Sequence, residues 1–213
     1  LDAGHGGDDS GAINLKYSVV ESDVNLDVVQ TLQAKLTVLG AYVVVVDRLS
    51  TRRDRVNNAV AKCASLDING DGIADNRKCD VLVSVHHNSP ADVTDTTHDV
   101  TLTIYTQKSD KPLAQALLGA LTPLTGRSEG LLNGGYGMTV YKNLVSTITE
   151  AFYITNDCEA ELYLYSKGLM TDTSQSCKND WYLLENRIKR EADLHVEGLT
   201  NYFNSQLSGG KGG

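Results

Sequence analysis

His5, Glu21, His86 and Glu150 are the residues of this 213-residue chain whose types and placement could do chemistry together. Two imidazoles and a carboxylate make the donor set of a catalytic zinc site, which keeps a fourth tetrahedral position for water. Zinc lowers the pKa of such a water toward about 7, so hydroxide is available at neutral pH. A further carboxylate, here Glu150, is then placed to take the water's proton and pass it to a leaving amine. Spacing alone leaves other readings open, because no H-E-x-x-H sets two ligands one helical turn apart. His5 also suits a turn, Glu21 the positive end of a helix, His86 a strand terminus and Glu150 a solvated surface. Joint chemistry is favoured because all four fall at one edge of the expected sheet.

That edge follows from the order of elements. Residues 1–4 read as the end of a strand entering a turn with Gly4, Gly6, Gly7 and Gly11. From Glu21 to Leu39, apolar residues Val24, Val28, Leu32, Leu36 and Leu39 recur at helical spacing, and Gly40 stops the helix. Ala41–Val46 is rich in β-branched residues and reads as a buried parallel strand. A second helix is expected over Thr51–Ala64, and a second buried strand over Asp80–Val85, ending at His86. Val100–Tyr105 alternates like a half-exposed strand, Pro112–Leu124 reads as a helix, and Leu144–Thr149 as a strand ending at Glu150. A long helix covers Trp181–Leu207, with Ile188, Ala192, Val196, Leu199 and Phe203 on one side. Alternating strands and helices predict a single α/β domain, a mainly parallel twisted sheet with helices on both faces. In such sheets active sites lie beyond the carboxyl ends of the strands. The domain is expected over residues 1–207, with a flexible tail at 208–213.

Composition narrows the class. A hydrophobic fraction of 41% and a charged fraction of 22% are those of an ordinary globule. No apolar run approaches the roughly 20 residues of a membrane span. A net charge of -8 argues against nucleic acid. No P-loop, G-x-S-x-G elbow or G-x-G-x-x-G is present, which removes the common nucleotide and serine-hydrolase readings. His195-Val-Glu197 has the H-x-E of zinc deaminases but no P-C-x-x-C follows; His98 and His195 are read as surface or helix-face histidines. The chain opens mid-motif at Leu1-Asp-Ala-Gly-His5, so residues upstream are expected, and the domain is expected to be a monomer.

The opening, Leu1-Asp-Ala-Gly-His-Gly-Gly-Asp-Asp-Ser-Gly-Ala12, resembles that of the zinc-dependent N-acetylmuramoyl-L-alanine amidases, the type 3 amidase family. Glu21 and Asn25 resemble the family's helix-opening Glu and following Asn, and Arg52 to Ala59 loosely its Arg-rich stretch. Ser84-Val-His86-His-Asn88 resembles its S-x-H-x-N strand end, Glu150 to Asn156 its late Glu, aromatic and Asn, and Ala192, Gly198, Tyr202 and Phe203 its last helix. Ala3 departs from the usual Pro. The resemblance covers nearly the whole chain and implies zinc ligands His5, Glu21 and His86, with Glu150 catalytic. It implies hydrolysis of the amide between N-acetylmuramic acid and L-alanine in peptidoglycan or muramyl peptides, by a secreted protein of the extracellular space, wall or periplasm. Adjacent strand residues point to opposite faces, so of His86 and His87 one faces the metal; motif position selects His86, and His87→Ala is expected to leave the metal bound. Two rivals stay open, a non-catalytic cell-wall-binding module and a zinc peptidase acting on ordinary peptides.

Two further features lie outside that site. Cys63 and Cys79, and Cys158 and Cys177, bracket polar segments without C-x-x-C spacing, which points to two loop-closing disulfides and an oxidising compartment; closing the first loop contributes about 3 kcal/mol on the chain-entropy model. Within the 63–79 insertion, Asp67, Asn69, Asp71, Ile73 (by its carbonyl) and Asp75 follow the start of an EF-hand-type calcium loop. Lys78 replaces the bidentate Glu, so Ca2+ binding is expected to be weak, and a plain Asx-turn loop is the alternative.

Overall fold

The computed structural model describes residues 1–172, 177 and 186–209. Seven strands lie among the described residues: β1 Asp2–Ala3, β2 Ile13–Asn14, β3 Val19–Val20, β4 Leu82–Asn88, β5 Thr101–Tyr105, β6 Ser128–Asn133 and β7 Ser146–Tyr153. Five form the central sheet in the order β1-β4-β7-β5-β6, while β2 and β3 pair separately as an antiparallel hairpin. β1, β4 and β7 are parallel neighbours; β5 runs antiparallel to β7 and parallel to β6. The helices are α1 Glu21–Val38, α2 Arg52–Ala64, α3 Lys111–Leu121 with a 3-10 turn Thr122–Leu124, α4 Gly137–Val140, α5 Asp157–Ser166 and α6 Arg187–Gly209.

Strand alternation divides the core between two faces of the sheet. Val83 and Val85 of β4 pack with Val24 and Val28 of α1, Leu113 and Leu117 of α3, and Leu194 and Leu199 of α6. Leu82, Leu102, Ile104 and Ile148 pack on the other side with Val56 and Ala59 of α2 and Met138 of α4. The mainly parallel α/β layering is thus as the pattern of elements implied. Helix α2 starts at Thr51, whose hydroxyl accepts from the Asp54 N–H at 3.1 Å.

Several local expectations are corrected. Ala41–Val46 is neither a strand nor buried: among its residues Val46 alone is buried, and Tyr42 is 60% exposed. Its backbone bonds toward the sheet are to Leu1, just before β1, through Leu1 N–H to Val44 O and Val46 N–H to Leu1 O, both 2.8 Å, which is too little partner for a ladder. β5 is not half-exposed; Thr101 and Thr103 are buried, with hydroxyls donating to Ala151 O and Ala114 O. A satisfied threonine passes for a surface residue in sequence but costs little inside. β7 does not end at Glu150 but continues to Tyr153. The hairpin, β6, α4 and α5 were not anticipated. α6 is described from Arg187 and runs on through Gly209, past the expected start of the tail; residues 181–185 and 210–213 lie outside the described residues.

Candidate active site

The three candidate ligands come from three elements at the carboxyl edge of β1, β4 and β7. His5 follows β1 with φ 60°, the left-handed region that residues with a Cβ seldom enter. Its backbone is clamped there: the carbonyl accepts from Arg48 Nε at 3.1 Å and from Arg55 Nη2. Arg55 is in turn buried against Asp2 Oδ1 at 3.0 Å and Ala3 O at 2.8 Å. The imidazole is oriented by Asp9, whose Oδ2 lies 2.9 Å from Nδ1, leaving Nε2 for the site.

Glu21 opens α1, yet its carboxylate is not used as a cap. Ala12 O and Ser10 O take the first helical N–H groups, those of Glu21 and Ser22, at 2.9 and 3.0 Å. The carboxylate is held in place instead. Its Oε2 accepts from Ala12 N at 2.9 Å, and its Oε1 from Asn25 Nδ2 at 3.3 Å and His87 N at 3.2 Å. Facing that same Oε1 are His5 Nε2 at 3.2 Å and His86 Nδ1 at 3.1 Å. The ligand atoms of His5, Glu21 and His86 all lie within 4.8 Å of one another, a convergence found nowhere else among the described residues. Two glycines make room for it. A Cβ on Gly4 would stand 2.3 Å from the His86 ring, and one on Gly11 would stand 2.4 Å from Glu21 Oε2. Two imidazole nitrogens and a carboxylate oxygen meeting in a glycine-lined cradle fit zinc.

The charges follow from this packing. Burial alone would raise the Glu21 pKa, but hydrogen bonds from His5 and His86 hold it far below the usual carboxylate range. Burial would lower that of His5, and the bonds to Glu21 and Asp9 outweigh it, lifting the value to about 9. Both groups favour their charged forms because each is the other's counter-ion. Glu150 is different. It sits on β7 directly opposite His86 of β4. Burial, then the nearby charge of Glu21, raise its pKa to about 8 against the smaller pull of His87 and His5. Its Oε2 is buried with no hydrogen-bond partner among the described residues, although the residue as a whole keeps partial exposure. A buried carboxylate oxygen left unpaired beside a cluster of ligands is the expected mark of a reactive group.

The other singled-out residues lie elsewhere. His87 points to the opposite face of β4, as alternation demands, but is fully buried between Asn25 and Glu191. His195 is not at the surface: it is completely buried, with Nε2 3.0 Å from Thr149 Oγ1 and Nδ1 3.0 Å from Glu191 O. His98 is partly exposed beside Glu129. Cys63 is bonded to Cys79, and Cys158 to Cys177. In the enclosed Asp-rich loop, Asp67 accepts from the N–H groups of Gly70, Asp71 and Gly72, Asp71 from Ile73, and Asp75 from Ile68. Residues that position the site but were not anticipated are Asp2, Asp9, Arg48 and Arg55. Asp9, one helical turn's spacing from His5, is the one with a local signal.

Known proteins align with this picture. Residues 1–172 match the family model Amidase_3, N-acetylmuramoyl-L-alanine amidase. Over 168 residues the chain is 29% identical to the N-acetylmuramoyl-L-alanine amidase LytC of Bacillus subtilis, covering 75% of this chain and 30% of that protein's length. The catalytic domain of CwlV, an N-acetylmuramoyl-L-alanine amidase from Bacillus (Paenibacillus) polymyxa, superposes with TM-score 0.68 at 22% identity, covering 95% and 96% of the two chains. An N-acetylmuramoyl-L-alanine amidase from Clostridium difficile superposes with TM-score 0.69 at 21% identity, covering 96% and 95%. At these identities the two structures speak for the fold.

Proposed function

The chain belongs to the N-acetylmuramoyl-L-alanine amidase family, and on that premise we propose that it hydrolyses the amide between the lactyl group of N-acetylmuramic acid and the L-alanine of the stem peptide, using zinc held by His5, Glu21 and His86. The observation that carries this reading is the convergence of those three ligand atoms beside the unpaired oxygen of Glu150. Zinc, when bound, supplies a Lewis acid and lowers the pKa of the water it holds.

The chain's own residues supply the rest. Asp9 fixes the His5 ring, while Ala12, Asn25 and the His87 N–H fix the Glu21 carboxylate, so the donors are aimed before any ligand arrives. Glu150 takes the proton of the attacking water on Oε2. As the carbon–nitrogen bond breaks, it returns that proton to the nitrogen that becomes the free amine of L-alanine. Its raised pKa suits the second step, and positive charge held by the neighbouring ligands would draw the value down toward that of an effective base in the first. Action in the extracellular space or wall agrees with the substrate and with the two disulfides. No helix among the described residues is long and apolar enough to cross a membrane.

The test is mass spectrometry of peptidoglycan incubated with the purified protein. The expected products are glycan with free lactyl carboxylates and stem peptides with a free alanine amine, and a chelator should stop their release. Cuts between stem residues would instead make it a peptidase. Retention on the wall with no cut at all would leave a binding module.

A further inference from the structure

Behind Glu21, on the side away from the proposed zinc, runs a line of buried polar groups whose side chains beyond Asn25 the reaction above does not use. Asn25 Nδ2 faces Gly4 O at 3.0 Å and Glu21 Oε1 at 3.3 Å, and both of these can only accept. The amide oxygen of Asn25 therefore points the other way, toward His87 Nδ1 at 2.7 Å. An amide oxygen cannot donate, so His87 Nδ1 carries a proton. Its Nε2 meets Glu191 Oε2 at 3.0 Å, and neither side chain of this pair has any exposed surface. The imidazole also lies against Phe152, ring centroids 4.1 Å apart. Glu191 is anchored on α6, where its own carbonyl is 3.0 Å from His195 Nδ1, and His195 Nε2 reaches Thr149 of β7.

Between Asn25 and His87 Nδ1 the order of donors has one consistent solution. If Nδ1 of His87 lost its proton, Asn25 would have to flip. Its oxygen would then face the Glu21 carboxylate and the Gly4 carbonyl, an arrangement of acceptors against acceptors in a low-dielectric interior. We propose that His87 and Glu191 are positioning residues: together they hold the Asn25 amide with its N–H toward Glu21, and so set the affinity of the His5–Glu21–His86 site for a divalent metal. This rests on the metal-site reading above. It also revises the sequence expectation for His87, whose loss leaves the ligands in place but loosens one of them.

The test compares two polar replacements by zinc affinity, measured on metal-free protein against a chromogenic chelator, and by the visible absorption of the cobalt-loaded form. His87→Asn keeps a donor near the Nδ1 position, beside Asn25. His87→Gln reaches instead toward Glu191 and leaves Asn25 without its partner. His87→Gln should weaken zinc binding about 10-fold or more, the scale for losing an outer-shell partner, and shift the cobalt spectrum. His87→Asn should recover most of the loss. In an Asn25→Ala background His87→Gln should add nothing, since it acts through that amide. Unchanged zinc affinity in His87→Gln, equal losses in the two variants, or fully additive losses in the double variant would each overturn the proposal. Should His87→Gln fail to fold, Glu191→Met carries the test: it keeps size but offers Nε2 no partner, so the ring is held at Nδ1 alone; weaker zinc binding supports the proposal and wild-type affinity overturns it. Wild-type protein that binds no zinc would sink the metal-site reading itself, an outcome distinct from intact binding in both protein and variants.

Discussion

Two regions of this molecule are rich in acidic side chains, and they use them in opposite ways. At the edge of β1, β4 and β7 the carboxylate of Glu21 is gripped from behind by Ala12, Asn25 and His87, which leaves its front aimed at two imidazoles. In the Asp67–Asp75 loop the carboxylates turn back on their own chain, each accepting from backbone N–H groups a few residues away. One arrangement directs charge outward to a common point; the other consumes it in holding a turn. The number of acidic residues therefore says less about a site than where their free lone pairs point.

The largest effect expected from breaking the first region is at the ligands. His5→Ala, Glu21→Ala and His86→Ala should each abolish stoichiometric zinc and amide cleavage, measured by elemental analysis and product release on the same preparation. Full zinc in any of them would remove that residue from the set. Next comes Glu150→Gln, which keeps size and hydrogen bonding but cannot take the proton. Zinc and fold should be retained while turnover falls by roughly 10² or more; loss of zinc would make Glu150 a ligand instead.

The clamp behind His5 is the third target. Arg55→Leu leaves Asp2 buried and unpaired, which should cost about 3–5 kcal/mol in denaturant unfolding. It should also weaken zinc binding, because the His5 carbonyl loses a donor. A variant as stable as the parent would show that the pair contributes nothing net. The smallest effect is reserved for the loop. Asp67→Ala removes a carboxylate that serves exposed turn amides, so stability should fall by about 1 kcal/mol, with zinc affinity unchanged. The contrast between the regions collapses if millimolar calcium raises the melting temperature of the parent but not of Asp67→Ala, since the loop would then be a cation site too.

Much of the active edge was legible because its elements are local. Val24, Val28 and Leu32 mark α1 by spacing, Leu82–Val85 is apolar apart from Ser84, and the glycines around His5 announce a turn. What escaped was decided by distant partners. Ala41–Val46 has strand composition but found only Leu1, ahead of β1, to pair with, and propensity without a partner makes no ladder. Arg55 reads as one more solvated cation of α2, and only the fold reveals that it buries against Asp2. His87 and Glu191 are 104 residues apart, beyond any periodicity, and burial of both became evident only when α6 closed over β4. His195 lies on a helix face, one of the two readings given for it, and its burial was hidden for the same reason.

Glu150 belongs to a strand interior and not to a loop, and its place opposite His86 is dictated by the β4–β7 ladder. The separation between the proposed base and His86, one of the proposed ligands, is therefore a property of backbone pairing, insulated from whatever surrounds the cleft. Segments that line the cleft can change in length and composition without disturbing that separation. Substrate preference and bond-breaking power are thus separable traits in this architecture, and selection can retune one while leaving the other intact.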